Sequence, residues 1–229
     1  MTTPLEGEAL SRGPSLAEQA YETLKQQIID GSIVANTVIS ENVLSRQLAI
    51  SRSPLREAIR RLQDEKLLDP SGPRGVRVPS ITAKFVRDLY NLRRALEVEA
   101  ARLVEFPDEQ TLLKARGRFD DVTAALSDGD TKPFTEADFE FHDLYIRACG
   151  NDLLIEHIER LRGPVQRVHA FAKPLFSHVK TSAEEHLDIL NALESKNRRK
   201  LCGAVEAHIA GVAERLAKYI EEREISHSA

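Results

Sequence analysis

The first third of the chain carries apolar residues at helical spacing, separated by short polar turns. A first helix is predicted between Ser15 and Gly31, because a serine followed three residues later by Glu18 is typical of a helix start. Its apolar positions are Leu16, Ala20, Leu24 and Ile28. Their recurrence at every fourth residue predicts that one face of this helix packs against a core.

Two further helices are predicted next. Ser40 is suited to cap a short helix, and residues 49 to 50 after it leave room only for a tight turn. A third helix is predicted to begin at Ser51 or Ser53 and to end at about Lys66. Its inward-facing residues are Leu55, Ala58, Ile59 and Leu62.

A small β-hairpin is predicted after the third helix. Residues 67 to 68 and 76 to 78 are short apolar runs, and the segment between them is rich in glycine and proline, which is typical of a turn. Pro79 and Ser80 then mark a boundary, because no strand pattern follows them. We therefore expect a flexible arm (1 to 14), an N-terminal domain (15 to 79) and a C-terminal domain (80 to 229).

The C-terminal domain is predicted to be entirely helical. Periodicity and breaks place its helices at residues 82 to 105, 108 to 127, 133 to 149, 152 to 162, 164 to 179, 182 to 195 and 198 to 223. The fourth and fifth become one long helix if Gly163-Pro164 bends the chain rather than ending the helix. The expected fold class is mainly α, with a bundle of six or seven helices in this domain.

The N-terminal domain has the element order of a winged helix-turn-helix, with the hairpin as a small β wing. Arg52, Arg56 and Arg60 recur one turn apart on the third helix, away from its apolar face. Guanidinium groups at this spacing reach phosphates or guanine edges from within the major groove. The pattern predicts a helix that reads double-stranded DNA. The alternative is a soluble face on which Glu57 and Asp64 are ordinary partners of the arginines.

The positive charge of the chain is local. The net charge of −4 argues against a protein that coats nucleic acid indiscriminately. Between Ser51 and Arg77, however, seven Lys or Arg stand against four Asp or Glu, as a localised DNA footprint requires. Arg74, at the tip of the hairpin, is placed to contact the minor groove or the DNA backbone.

Composition excludes several other classes of protein. A chain with 41% hydrophobic and 30% charged residues suits globular domains rather than disorder. No window approaches the ~20 apolar residues of a membrane span, and the N-terminal sequence lacks the layout of a signal peptide. Cys149 and Cys202 form no CxxC pair, so we expect them to pack as thiols in a reducing compartment. A cytoplasmic protein without a membrane partner is expected.

Polar residues on apolar helix faces form a candidate cation site in the C-terminal domain. Asp138 and His142 lie one turn apart, and a carboxylate and an imidazole at this spacing can converge on one cation. His186 and His208 lie among the apolar residues of two other helices. A single inward histidine is more often a core residue, so the pattern alone leaves open whether this set binds metal or is structural.

The stretch SENVLSRQLAISRSPLREAIRRL at residues 40 to 62, followed by GVRV at 75 to 78, resembles the DNA-binding domain of GntR-family transcription regulators. The resemblance implies that operator DNA is contacted by Ser51, Arg52, Ser53, Arg56 and the wing residue Gly75. Asn42 stands where some members use an arginine on DNA, and it is a further candidate.

Two departures from the family pattern concern the backbone. Ala35-Asn36 stands where Pro-Gly is usual, and asparagine tolerates the left-handed conformation that this turn needs. Lys66 stands where glycine usually ends the third helix. We expect Lys66 either to adopt an unfavourable backbone angle or to alter the helix cap.

The C-terminal domain resembles the FCD domain, the all-helical effector domain of the FadR subfamily. The matching motifs are LRRALE at 92 to 97, DFEFH at 138 to 142 with GN at 150 to 151, EH at 185 to 186 and AHI at 207 to 209. In the metal-binding branch, residues that match Asp138, His142, His186 and His208 hold a divalent cation. The resemblance implies zinc, or else nickel or manganese, in this domain.

The implied metal site suggests the effector. One Asp and three His leave coordination positions open on a five- or six-coordinate cation, and a carboxylate is a natural occupant. We therefore expect a small organic acid, whose second carboxylate or hydroxyls Arg93 is placed to bind. The alternative for Arg93 is an ion pair with Glu97, four residues later.

The expected function is a ligand-responsive transcription regulator, taken as a repressor, that acts as a homodimer on a near-palindromic operator. Two alternatives remain. One is a metal-dependent enzyme, because three histidines and a carboxylate also suit hydrolytic or oxidative chemistry. The sequence offers this enzyme no evident nucleophile. The other is a regulator in which the histidine cluster is only structural.

Overall fold

The computed structural model describes residues 13 to 72, 75 to 172 and 176 to 228, with the side chains of 176 to 177 and 224 to 228 left out. The chain forms two compact units, Met1–Pro79 and Ser80–Ala229. Most of the arm expected at the N-terminus and the wing-tip residue Arg74 lie outside the described residues.

The N-terminal unit is a winged helix-turn-helix. Its elements are α1 (Leu16–Ile29), β1 (Val38–Ser40), α2 (Glu41–Gln47), α3 (Arg52–Asp64), β2 (Asp69–Pro70) and β3 (Gly75–Arg77). The strands pair antiparallel in the order β1-β3-β2, with Ile39 opposite Val76. The predicted hairpin is therefore part of a three-stranded sheet, but its first strand is Asp69–Pro70 and not residues 67 to 68, which are buried in the core instead. The pattern missed β1, a three-residue strand whose first residue, Val38, is exposed.

Side-chain caps and burial account for the first helix. The Ser15 hydroxyl accepts a hydrogen bond from the Glu18 backbone N–H, as the sequence predicted. Leu16 was predicted to face the core but is 54% exposed, because the buried stripe begins one residue later. The buried residues of α1 are Ala17, Ala20, Tyr21, Leu24 and Ile28. This stripe packs against α3 and forms the core of the unit.

The expected backbone departures are present. Asn36 and Lys66 both have positive φ, of 66° and 60°. A non-glycine residue in this region costs about 1 kcal/mol. At the end of α3 this conformation lets the Leu67 and Leu68 N–H groups bond to the Leu62 carbonyl and turns both leucines into the core, where they are buried. Their burial offsets the strain at Lys66.

The C-terminal unit is a bundle of six α-helices within the described residues. They are α4 (Ala83–Leu103), α5 (Glu109–Ser127), α6 (Lys132–Ile146), α7 (Asp152–Phe171), α8 (Phe176–Glu194) and α9 (Arg198–Ser228). A 3-10 turn at Arg147–Cys149 extends α6. The helix continues through Pro164, which is buried, as the alternative of one long helix required, but α7 ends at Phe171 rather than at the predicted residue 179. The break predicted at residues 180 to 181 was wrong, because neither residue is a helix breaker.

The bundle encloses buried polar residues. Helix α4 packs against α9, α7 and α6, and α8 packs against α9, α5 and α6. Within this apolar core lie Arg93, Glu97, Asp138, His142, Arg167, Ser182, His186 and His208. Buried polar groups are costly unless they are paired, so their clustering calls for a chemical reason. No helix in the described segments is long and apolar enough to cross a membrane. Cys149 and Cys202 are free thiols.

Candidate nucleic-acid interface and candidate metal centre

Helix α3 presents two chemically distinct faces. Leu55, Ala58, Ile59 and Leu62 are buried, as predicted. Arg52, Arg56 and Arg60 are exposed on the opposite side. The three guanidinium groups are therefore available to a ligand outside the unit, as a helix that enters the major groove requires.

Arg56 is held by a residue that the sequence did not suggest. Its Nε lies 2.8 Å from Oε2 of Glu41, the first residue of α2, whereas Glu57 and Asp64 had been named as its alternative partners. The Arg56 side chain remains 59% exposed. The Arg56 guanidinium is therefore both paired with α2 and exposed, and an exposed guanidinium can make a bidentate contact to guanine.

The serines at the start of α3 differ from the serine that caps α1. Ser51 is the N-cap residue of α3, but in the described part of the chain its hydroxyl makes no capping hydrogen bond. Ser51 and Ser53 are both exposed, so each presents a hydroxyl beside the arginines. Asn42 is half-buried in the first turn of α2, where its backbone N–H bonds to the Ser40 hydroxyl.

Gly75 has a clear structural role in the wing. A Cβ atom at this position would lie 2.7 Å from the backbone oxygen of Ser71, which is too close for any side chain. The Gly75 carbonyl accepts a hydrogen bond from the Ser71 N–H across the turn. The close approach of two backbone segments therefore explains the glycine without reference to DNA.

The candidate metal centre is built from three helices. Helix α6 supplies Asp138 and His142, α8 supplies His186, and α9 supplies His208; all four side chains are buried. One ring nitrogen from each histidine lies within 4.8 Å of the others. His142 Nε2 is 3.1 Å from His186 Nε2, and Asp138 Oδ1 is 3.6 Å from the same His186 atom.

The second ring nitrogen of each histidine has a partner that fixes its proton. His186 Nδ1 lies 2.8 Å from the Ser182 carbonyl oxygen, which can only accept a hydrogen bond. His142 Nδ1 lies 2.7 Å from Glu97 Oε2, and His208 Nδ1 lies 2.9 Å from a carboxylate oxygen of Glu185. In its neutral form each imidazole therefore carries its proton on Nδ1. The Nε2 atoms of His142 and His186 then bear lone pairs, and a ring nitrogen of His208 lies within 4.8 Å of the cluster, as in a set of metal ligands.

Electrostatics keep these groups in the protonation states that a cation prefers. Burial lowers the pKa of His186 to about 4, and burial together with the neighbouring histidines lowers the pKa of His208 well below its usual value. Burial alone would raise the pKa of Asp138, but nearby positive charge, on His169, His186 and His142 when they are protonated and on Arg93, holds it below its ordinary value. Neutral imidazoles beside an ionised carboxylate form a donor set.

One atom of this set is unsatisfied. Asp138 Oδ2 is buried and has no hydrogen-bond partner among the described residues. A buried polar atom without a hydrogen-bond partner destabilises the folded state by about 1–3 kcal/mol, and a charged one by more. Three converging nitrogens with lone pairs and one orphaned carboxylate oxygen fit a divalent cation of the zinc, nickel or manganese type.

Arg93 is turned inward and also makes the ion pair that was its alternative role. Its Nε lies 2.5 Å from Glu97 Oε1, and both side chains are buried. Burial alone would raise the pKa of Glu97, but Arg93 and His142 hold it far below its ordinary value. The cavity beside Arg93 and His142 has a volume of only about 10 Å³, roughly one water. Arg93 therefore serves first as the anchor of the carboxylate that orients His142.

The sequence reasoning missed His169. It had been given no role, yet its Nε2 lies 2.8 Å from the Tyr90 hydroxyl and its Nδ1 lies 3.9 Å from Asp138 Oδ2. The signal that the sequence offered was its position next to the apolar Val168, which is buried in the structure. Of the other histidines without a predicted role, His157 is exposed and bonds to its own helix, and the side chain of His227 lies outside the described residues.

Two family models match the chain. Residues 16–78 match the model described as bacterial regulatory proteins, gntR family, and residues 88–211 match the FCD domain. The chain is 29% identical over 211 residues to YdhC of Bacillus subtilis (strain 168), an uncharacterised HTH-type transcriptional regulator, covering 89% of this chain and 92% of that one.

A second relative and a solved structure extend the comparison. The HTH-type transcriptional repressor RspR of Escherichia coli (strain K12) is 26% identical over 206 residues, which cover 90% of each chain. The structure of E. coli McbR/YncC has a TM-score of 0.71 at 21% identity and covers 90% of this chain and 98% of that one. This likeness in structure is a likeness of fold.

Proposed function

Because the chain belongs to the GntR family of bacterial regulatory proteins and carries an FCD domain, we propose that it is a repressor controlled by a divalent cation and a small organic acid. That it is a DNA-binding transcription regulator, and not an enzyme, follows from the family and from the relatives. The repressor role is supported by the similarity to RspR. The observation that carries the metal proposal is the convergence of ring nitrogens from three buried histidines, with Asp138 Oδ1 lying 3.6 Å from one of them, His186 Nε2.

The DNA half of the proposal is a homodimer that places two copies of α3 in successive major grooves of cytoplasmic operator DNA. Its support is the exposed arginine row, in which the side chain of Arg56 is 59% exposed. The proposed DNA-contacting residues are Asn42, Ser51, Arg52, Ser53, Arg56, Arg60, Arg74 and Gly75. The arginines and serines supply base and phosphate contacts, and Gly75 acts by keeping the wing backbone in place.

The effector half assigns roles to buried residues. Asp138, His142, His186 and His208 would hold the cation, for which we propose zinc, with nickel and manganese as the competing metals. When bound, the cation supplies positive charge and open coordination positions that suit a carboxylate. Glu97, Ser182 and Glu185 hold the three imidazoles with Nε2 directed inward. A role for Arg93 in binding the effector requires its pocket to open beyond the present volume.

Coupling between the two halves has a defined size. The effector changes operator affinity only as far as it binds the two states of the protein with different affinity. A tenfold change in operator affinity corresponds to about 1.4 kcal/mol of coupling free energy.

The metal content of purified protein tests the proposal. After reloading with zinc and removal of excess metal, the wild-type protein should retain about one zinc ion per chain by elemental analysis. His186→Ala should retain much less, because it removes a central ligand. His157→Ala, which changes an exposed histidine of α7 outside the cluster, is the matched control and should bind like wild type. A content below about half a zinc ion per wild-type chain would indicate that the histidine cluster has only a structural role.

A thermal-shift screen tests the effector class. Small mono- and dicarboxylates are added to zinc-loaded and metal-free protein, with the corresponding amides as neutral controls. A ligand that binds the native state raises the melting temperature by mass action. We expect an increase with acids and zinc together, and none with amides or without zinc. An equal increase without zinc would argue against a metal-bound carboxylate.

A further inference from the structure

We infer that Arg215 of α9 is a positioning residue of the metal centre, which acts on the ligand His208 through Glu185, and that Gly211 is the residue that leaves room for it. The inference rests on the proposed metal site. It assigns a function to two residues that the sequence motifs did not single out.

The first observation is a two-point contact between α9 and α8. Arg215 Nη1 lies 2.7 Å from Glu185 Oε1, and Arg215 Nη2 lies 2.7 Å from Glu185 Oε2. The same Oε2 atom accepts the hydrogen bond from His208 Nδ1 at 2.9 Å. A carboxylate held at both oxygens by a planar guanidinium cannot rotate, so its direction toward His208 is fixed.

The second observation is that the rest of the guanidinium is also engaged. Arg215 Nε donates to His178 Nδ1 at 3.1 Å, and Nη2 lies 3.4 Å from the Ser182 hydroxyl. Ser182 is the residue whose carbonyl oxygen holds the ligand His186. One side chain of α9 therefore contacts the supports of two ligands, whereas an ordinary surface ion pair contacts a single partner.

The third observation is the space beside the guanidinium. Gly211 lies one turn before Arg215, and a Cβ atom on it would be 2.8 Å from Arg215 Nη1 and 3.0 Å from Glu185 Oε1. Gly203, in the same helix, has open space around the equivalent point. Glycine lowers helix stability relative to alanine. At position 211 this cost has a geometric reason, because alanine would displace the ion pair.

These contacts define what the network does. The Glu185 carboxylate orients the His208 ring with Nε2 inward and makes that nitrogen a better donor. Arg215 keeps the carboxylate aligned for that role. Loss of such an outer partner typically weakens metal binding 10- to 100-fold.

The test compares zinc affinities of full-length variants by competition with a chromophoric chelator. Arg215→Met should weaken zinc binding at least tenfold, and Gly211→Ala should weaken it by a smaller but measurable factor, because flexible side-chain ends can shift away from the added methyl group. Arg215→Lys, which keeps the charge but not the planar fork, should recover part of the loss. The visible spectrum of the cobalt-loaded protein should change in Arg215→Met, since the ligand field changes when His208 tilts.

Two matched controls separate positioning from general stability. Arg116→Met removes another arginine that binds both carboxylate oxygens of a glutamate of α8. This glutamate, Glu194, does not contact the proposed metal ligands. Gly203→Ala adds a methyl group to α9 where nothing opposes it. The zinc affinity of both controls should lie within about twofold of the wild-type affinity, a small difference beside the 10- to 100-fold loss expected when an outer partner of a ligand is removed.

The outcomes are distinct. If wild type binds zinc and both Arg215→Met and Gly211→Ala bind it equally well, the inference is wrong and the proposed function stands. Equal losses in Arg215→Met and Arg116→Met would also overturn it, because they would reflect the packing of α8. If wild type binds no zinc, the proposed function fails together with the inference. Should Arg215→Met not fold, Gly211→Ala decides, because its methyl group displaces only flexible side-chain ends.

Discussion

At the scale of single residues, what a side chain already contacts determines what it has left to offer. The hydroxyl of Ser15 is used by its own helix, whereas the hydroxyl of Ser51 is not used in the described part of the chain. Arg61 is turned toward Glu18 and stacks on the Tyr21 ring, whereas the side chain of Arg56 is 59% exposed. Residues of the same type therefore divide into structural members and candidate DNA contacts.

Arg56 provides a direct test of DNA reading. Arg56→Ala should lower affinity for an operator selected from random duplexes about 10- to 100-fold, since a bidentate base contact is worth about 1–3 kcal/mol. Arg102→Ala, in the effector unit, removes the same charge from an exposed arginine and should change little. Gel-shift titrations on operator and on unrelated DNA measure both. An equal loss on the two DNAs would mean that Arg56 contacts only phosphate.

Substitutions of the two serines should have different effects, one on stability and the other on operator binding. Ser15→Ala removes a helix cap and should lower the free energy of unfolding by about 1 kcal/mol, without changing the operator affinity of the folded protein. Ser51→Ala should leave stability within about 0.5 kcal/mol and weaken operator binding. Urea denaturation and gel shift separate the two effects. If Ser51→Ala proves as destabilising as Ser15→Ala, the Ser51 hydroxyl is a cap after all.

At the scale of elements, hydrophobic periodicity predicted the long helices well. It did not predict a short strand or decide whether a helix continues through a proline. The stripe of α3 and the inward histidines of α8 and α9 followed from spacing alone. Strand β1 could not be predicted, because three residues with an exposed valine carry no period. The continuity of α7 through Pro164 depends on burial against neighbouring helices, which local sequence does not contain.

The candidate metal site was predictable to the same extent. The type and spacing of Asp138, His142, His186 and His208 pointed to it, and the structure brings them together. Their supports were not predictable, because Glu97, Glu185 and Arg215 lie on other helices or look like ordinary surface charges in the sequence. His169 was missed for the same reason, since its neighbours Tyr90 and Asp138 are distant in sequence.

The end of α3 offers a prediction about an element boundary. Lys66 is exposed and has a φ of 60°, a conformation that favours glycine. Lys66→Gly should therefore raise the free energy of unfolding by up to about 1 kcal/mol. Lys66→Ala removes the charge without relieving the backbone and should produce no such gain. Urea denaturation monitored by circular dichroism distinguishes them. A loss of stability in Lys66→Gly would show that the lysine side chain makes a stabilising contact.

At the scale of the whole molecule, two units with separate cores carry the two proposed sites, one for DNA and one for a ligand. In the N-terminal unit the arginine row of α3 is exposed, and Arg56 of that row pairs with Glu41. The C-terminal unit contains a histidine cluster beside Asp138, one of whose carboxylate oxygens has no hydrogen-bond partner among the described residues, and we propose that a cation completes this arrangement. Under that proposal, regulation is a change in operator affinity when an acid binds beside those ligands.

Operator affinity of zinc-loaded protein, measured by fluorescence anisotropy with and without an acid identified by thermal shift, tests this account most directly. The account predicts a change of at least tenfold in wild type, equivalent to about 1.4 kcal/mol. It predicts no change in His186→Ala and the wild-type response in His157→Ala. A wild-type response that survives both His186→Ala and removal of zinc by chelation would contradict it.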